Sequence, residues 1–135
     1  MKTNMKGQIY KLLLVLVVFL IANGCDNLPL FPTAKTKAVT EISSGTAICG
    51  GTIVNENNVT TTIQGVCWGK VEKPTIADSK TISKNISRDF TAQLTGLLPE
   101  TTYFVRAYLS NSDGTVYGNE VSFTTTPIAA LGLLT

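Results

Sequence analysis

The stretch Leu97-Leu-Pro-Glu-Thr101-Thr-Tyr103-Phe-Val105-Arg-Ala107-Tyr108 decides how the rest of the chain is read. Its proline fixes a bend, and the residues after it alternate with period two, which is the signature of a strand. Tyr103, Val105 and Ala107 share one face; Phe104, Arg106 and Tyr108 share the other. Placing the first set inward buries a phenol, whose hydroxyl then needs a partner in the nearby backbone. The strand is expected over Thr102–Asn111. It is joined to a second, Val116–Thr125, by Ser112-Asp113-Gly114-Thr115, where Asp-Gly is a strong hairpin signal.

Working back towards the N-terminus, Arg88–Thr95 has the clearest period, with Phe90, Ala92 and Leu94 on one face. Lys80–Ser83 reads as a short edge strand. The stretch Val71–Asp78 contains Pro74 and reads as a loop, because proline removes a ladder donor. Thr61–Lys70, Thr46–Asn55 and Ala38–Ser43 complete the set. No segment beyond the N-terminal 24 residues has helical periodicity. The fold class is therefore all-β, and about seven short strands over about 90 residues fit an immunoglobulin-like sandwich.

The N-terminus is of another kind. Lys2, Lys6 and Lys11 precede the apolar run Leu12–Ala22, which ends in Asn23-Gly24-Cys25. A positive head, an apolar middle and small residues before a cut make a signal peptide over residues 1–24. The run is shorter than the roughly 20 residues a membrane-spanning helix needs. Cys25 at the cut resembles the lipobox cysteine of bacterial lipoproteins. Gly24 matches that pattern at −1, and Ala22 stands at −3, where leucine is usual. The resemblance implies diacylation of the Cys25 thiol (palmitate among the acyl chains) and a lipid anchor on the bacterial envelope. The outer membrane is the expected location, on its periplasmic or cell-surface face. Residues 25–36, with Pro29 and Pro32, read as an extended tether.

Removing the signal changes the charge. The whole chain has 11 Lys+Arg and 9 Asp+Glu; three lysines leave with the signal, so 8 and 9 remain, a net of −1. No basic footprint for nucleic acid is left. The chain has no histidine, which removes the commonest general base, the nucleophile–histidine pairs and the usual zinc sets. The acids are spread singly, as solvated surface groups are. No glycine-rich phosphate loop opens a helix. No catalytic, cofactor or metal site is expected.

The segment Leu97–Tyr108, together with the hairpin Asn111–Thr125, resembles the Leu-x-Pro-x-Thr-x-Tyr-x-Val-x-Ala signature and last hairpin of fibronectin type III domains. The resemblance covers residues 37 to 126 and implies a tyrosine corner between Leu97 and Tyr103. The first half departs from the animal type. The usual strand-B Trp is replaced by Thr46-Ala-Ile-Cys49-Gly-Gly51, and a Trp stands instead in Gly65-Val-Cys67-Trp68-Gly69. This is similar to the variant domain of many bacterial surface lipoproteins, where such modules act as spacers or binding units. The turn Ser112-Asp113-Gly114 lacks the Arg of an adhesion loop, so integrin-type adhesion is not carried over.

One cysteine pair and one surface are nominated. With Cys25 lipidated, Cys49 and Cys67 form an even pair in an oxidising compartment. Alternation puts Cys49, and with it Cys67, on inward faces, and an inter-sheet disulfide is expected. Two buried free thiols are the alternative. Trp68 would then face outward with Arg106 and Tyr108, forming either a contact patch for glycan or envelope protein or a stacked Arg covered by the loop Lys73–Lys80. The sequons Asn58-Val-Thr60 and Asn85-Ile-Ser87 are incidental in a bacterial protein. The tail 127–135 is apolar and too short to span a membrane. The function expected is that of a non-enzymatic envelope lipoprotein whose single module binds or spaces. The alternatives are an accessory subunit of a glycan-processing or adhesin assembly, and a small carboxylate-dependent hydrolase.

Overall fold

The computed structural model describes residues 32–55 and 60–129. The signal segment, Cys25, the first sequon's asparagine and the last six residues lie outside the described residues. Eight strands follow in order: β1 Thr33–Thr36, β2 Ala47–Asn55, β3 Ile63–Gly69, β4 Ser79–Lys80, β5 Asp89–Leu94, β6 Thr102–Asn111, β7 Gly114–Tyr117 and β8 Val121–Thr124. They form two antiparallel sheets. One has the order β1-β2-β5; the other has the order β4-β3-β6, with β7 and β8 lying one after the other along the far edge of β6.

The core lies between the sheets. Ala47, Cys49, Ile53, Phe90 and Leu94 face it from the first sheet, and Val66, Trp68, Tyr103, Val105 and Ala107 from the second. Close approach is possible because β2 carries Gly51 at the centre. A Cβ there would sit 2.6 Å from the Ala107 Cβ and 2.8 Å from the Phe90 ring, well inside van der Waals contact. The tyrosine corner is present: the Leu98 N–H donates to the Tyr103 hydroxyl at 2.9 Å. Thr125 ties the corner to the end of β8, accepting from the Thr101 N–H at 2.9 Å and donating to the Leu98 carbonyl at 2.5 Å.

Three sequence expectations need correction. The first strand is not Ala38–Ser43. It lies at Thr33–Thr36, inside the stretch read as tether, with Ala34 and Thr36 buried and Thr33 and Lys35 exposed. Residues 37–43 do run beside β2, but they hold a single bridge, Thr40 to Ile48, before the backbone turns left-handed at Glu41 with φ 48°. Four residues with threonine and lysine on them give too weak an alternation to separate from a linker. Second, the last strand is broken into β7 and β8 at Gly118–Glu120. Third, the phase of β3 is reversed. Register pairs Trp68 with Val105 and Val66 with Ala107, so the tryptophan shares the inward face of β6. Phe90, Ala92 and Leu94 face inward as their period predicts.

Candidate functional site

The reversal of β3 dismantles the nominated patch. Trp68 is a core residue, 6% exposed, while Arg106 and Tyr108 are on the outer face of the same sheet. A one-residue change of phase moves every side chain of a strand to the other face. The sequence could not set that phase, because all five central residues of β3 are buried and the pattern has no polar side.

The outer face is closed by the chain's own loop between β3 and β4 and the residues just after it. Tyr108 donates to the Thr81 carbonyl at 2.5 Å, and the Ile76 N–H donates to the Tyr117 hydroxyl at 3.1 Å. The Arg106 guanidinium carbon lies 4.5 Å from the centre of the Tyr117 ring, and its Nε donates to the Gly118 carbonyl at 3.1 Å. Lys80 donates to the Ile76 carbonyl at 2.6 Å, and the Lys73 N–H meets the Glu120 carboxylate. The stacked and covered arginine, rather than an open contact patch, is what the sheet carries.

The expected disulfide is also corrected. Cys49 and Cys67 are both free and buried. Cys49 lies in the core, whereas Cys67 pairs with Arg106 on the outer face of the opposite sheet. The β3–β6 sheet therefore stands between the two sulfurs, and no bridge can form without moving backbone. The Cys67 thiol donates to the carbonyls of Pro74 and Arg106, each at 3.5 Å. Burial pushes it up to about 11, against a smaller lowering by the Arg106 charge. Burial raises Cys49 as well, partly offset by its bond to Gly50. Both thiols stay protonated near neutral pH and are poor nucleophiles.

A concavity that the sequence did not nominate lies beside β5. A groove of about 430 Å³ runs along β5, with Gln64, Gly65 and the segment Thr81–Ser87 on its far side. Gln64 holds that far wall. Its backbone exchanges hydrogen bonds with Ser83 at 2.9 and 2.8 Å. Its buried amide donates to the Asn85 carbonyl at 3.3 Å and accepts from the Ser87 N–H at 3.1 Å. A single glutamine within an apolar strand carries no sequence signal of such a role. At the groove's end the Asp89 carboxylate is held below its ordinary value by the Thr52 hydroxyl at 2.8 Å and then by Lys37 at 3.1 Å. Among the described residues there is no cluster of three His, Cys, Asp or Glu that could hold a metal.

No family model and no curated protein matches the sequence. Solved structures do match. The sixth fibronectin type III domain of human fibronectin type III domain containing protein 3 superposes with a TM-score of 0.56 at 21% identity, covering 78% of this chain and 95% of that one. The fold is fibronectin type III-like. The sensor domain of the anti-sigma factor RsgI4 from Pseudobacteroides cellulosolvens gives 0.55 at 16% identity, over 73% of this chain and 77% of that one. A fibronectin type III domain of human collagen XX gives 0.54 at 13% identity, over 76% and 99%. In this fibronectin type III-like domain the tyrosine corner and the split last strand sit on the second sheet, and the groove sits at the free edge of the first.

Proposed function

We propose that this chain is a non-enzymatic envelope lipoprotein, anchored through Cys25, whose fibronectin type III-like module serves as a binding or spacer unit. The observation that carries the reading is where the chain enters and leaves the sandwich. Pro32 lies beside Ser110 and Asn111, and Thr33 pairs with Asn55, at one pole. Thr126 donates to the Ser43 carbonyl at 3.1 Å and accepts from the Glu100 N–H at 3.3 Å, beyond the other end of β6. A ten-residue strand separates the poles, about 30 Å at the usual rise per residue. A module that the chain enters at one pole and leaves at the other supports a spacer role. The absence of histidine from the sequence, the scattered acids and the protonated thiols support a role other than catalysis.

Metabolic labelling with a fatty-acid analogue tests the anchor. The wild type should be labelled, whereas Cys25→Ala should not; equal labelling of the two would refute the assignment. A screen of the unlipidated chain against glycans and envelope proteins then separates the two module roles. Capture of a defined ligand favours binding, and its absence favours a spacer.

A further inference from the structure

Among the described residues the first sheet ends in an unpaired edge. The Ile53 N–H donates to the Arg88 carbonyl, and the register pairs Gly51 with Phe90 and Cys49 with Ala92. The backbones of Phe90, Ala92 and Leu94 therefore turn towards β2, and those of Asp89, Thr91 and Gln93 turn outward. Among the described residues β5 pairs with no strand but β2. Among the described residues, the only hydrogen bond made by these three outward backbones is that of the Asp89 carbonyl, which accepts from the Ser87 hydroxyl at 2.9 Å and keeps a second lone pair.

The other edges are blunted in the usual ways. β4 is two residues long and carries Lys80, β1 is four residues long with Lys35 outward, and the β7–β8 edge is broken at Gly118. β5 has six residues, Asp-Phe-Thr-Ala-Gln-Leu, with no proline, lysine or bulge, and the groove of about 430 Å³ runs alongside it.

We propose that this edge binds the same edge of a second copy of the chain, two β5 strands pairing antiparallel about a two-fold axis at Thr91. The outward backbones pair odd-numbered residues with one another, and in the register with the longest overlap Thr91 faces Thr91 of the second copy and Asp89 faces its Gln93, each pair exchanging two hydrogen bonds. The side chains complement one another in that register. The Gln93 amide donates to an Asp89 carboxylate, twice by symmetry, and the two threonine hydroxyls meet on the axis. Asp89 holds Lys37 and Thr52 through Oδ1, which leaves Oδ2 for the incoming amide. On the inner side Phe90 of each copy lies across from Ala92 of the other, large against small. The union would continue the three-stranded sheet into one of six strands.

Cysteine cross-linking of the full chain in detergent tests this. Across a hydrogen-bonded antiparallel pair Cα atoms lie about 5.5 Å apart, within disulfide reach. Thr91→Cys should oxidise to a covalent dimer at least ten-fold faster than Gln93→Cys, whose copies lie four residues out of register, or than Thr124→Cys on the other sheet. Thr91→Pro, which removes an outward N–H and no bond to β2, should weaken dimerisation at least ten-fold in sedimentation velocity with an unchanged circular dichroism spectrum. Equal cross-linking at the three positions, or a chain that stays monomeric at high concentration, would overturn the proposal and leave the edge to a strand from another protein.

Discussion

The hydroxyl of Thr36 accepts the backbone N–H of Ala107 at 2.9 Å, reaching from the first sheet to the second. The contact exists because the last strand is broken. β8 pairs with β6 up to Val105 and β7 from Tyr108 onward, so the Ala107 N–H is left without a ladder acceptor. A buried amide without a partner is costly, and the threonine supplies one. Gly118 makes room: a Cβ there would lie 2.7 Å from the Thr36 oxygen. The Thr36 N–H in turn donates to the Asn119 side chain at 3.0 Å. The four residues of β1 thus close the sandwich at the point where its other sheet is interrupted.

Thr36→Val keeps the branched shape and removes the hydroxyl. It should cost about 1–3 kcal/mol, the usual cost of stranding a buried donor. Urea denaturation of the variant against the wild type measures this, and a shared midpoint would mean that water satisfies the amide.

Trp68→Ala removes the largest side chain of the core. The expected loss is about 3–5 kcal/mol, a large part of the stability of a domain this size. Were the tryptophan instead an exposed contact, thermal stability would scarcely change.

Tyr103→Phe leaves the Leu98 N–H without its acceptor while keeping the stacked contact with Phe123, whose ring centre is 5.8 Å away. A loss of about 1–3 kcal/mol is expected. Scanning calorimetry checks it, and no change in midpoint would show that the corner hydrogen bond contributes nothing.

Cys67 sets an alkaline limit. Its folded value, near 11, lies above the ordinary value of 9.0, so the protonated thiol favours the fold. That contribution is complete below about pH 9 and is lost as pH rises through 11; it is worth at most about 3 kcal/mol. Unfolding midpoints of the wild type should therefore fall between pH 9 and 11 more steeply than those of Cys67→Ala. Parallel curves would assign the loss to other groups, such as Tyr108, whose phenol is also raised by burial.

The sequence by itself determined the fold class, most of the strands and the tyrosine corner. Each depends on local chemistry: the period of Phe90, Ala92 and Leu94, the proline at 99, and the phenol of Tyr103 five residues from the amide it meets. Only the tertiary structure decided which face of β3 is inside. Both faces of that strand are buried, one by the opposite sheet and one by the loop through Pro74, so hydrophobicity carries no phase and the register with β6 must supply it. The same limit hid β1, whose value lies in a bond to Ala107 71 residues away, and the split of the last strand, which makes that bond necessary. It also hid the free edge of β5, because an unpaired backbone is a property of where neighbouring strands are not. Local periodicity reports what each segment prefers, and long-range pairing decides what those preferences face.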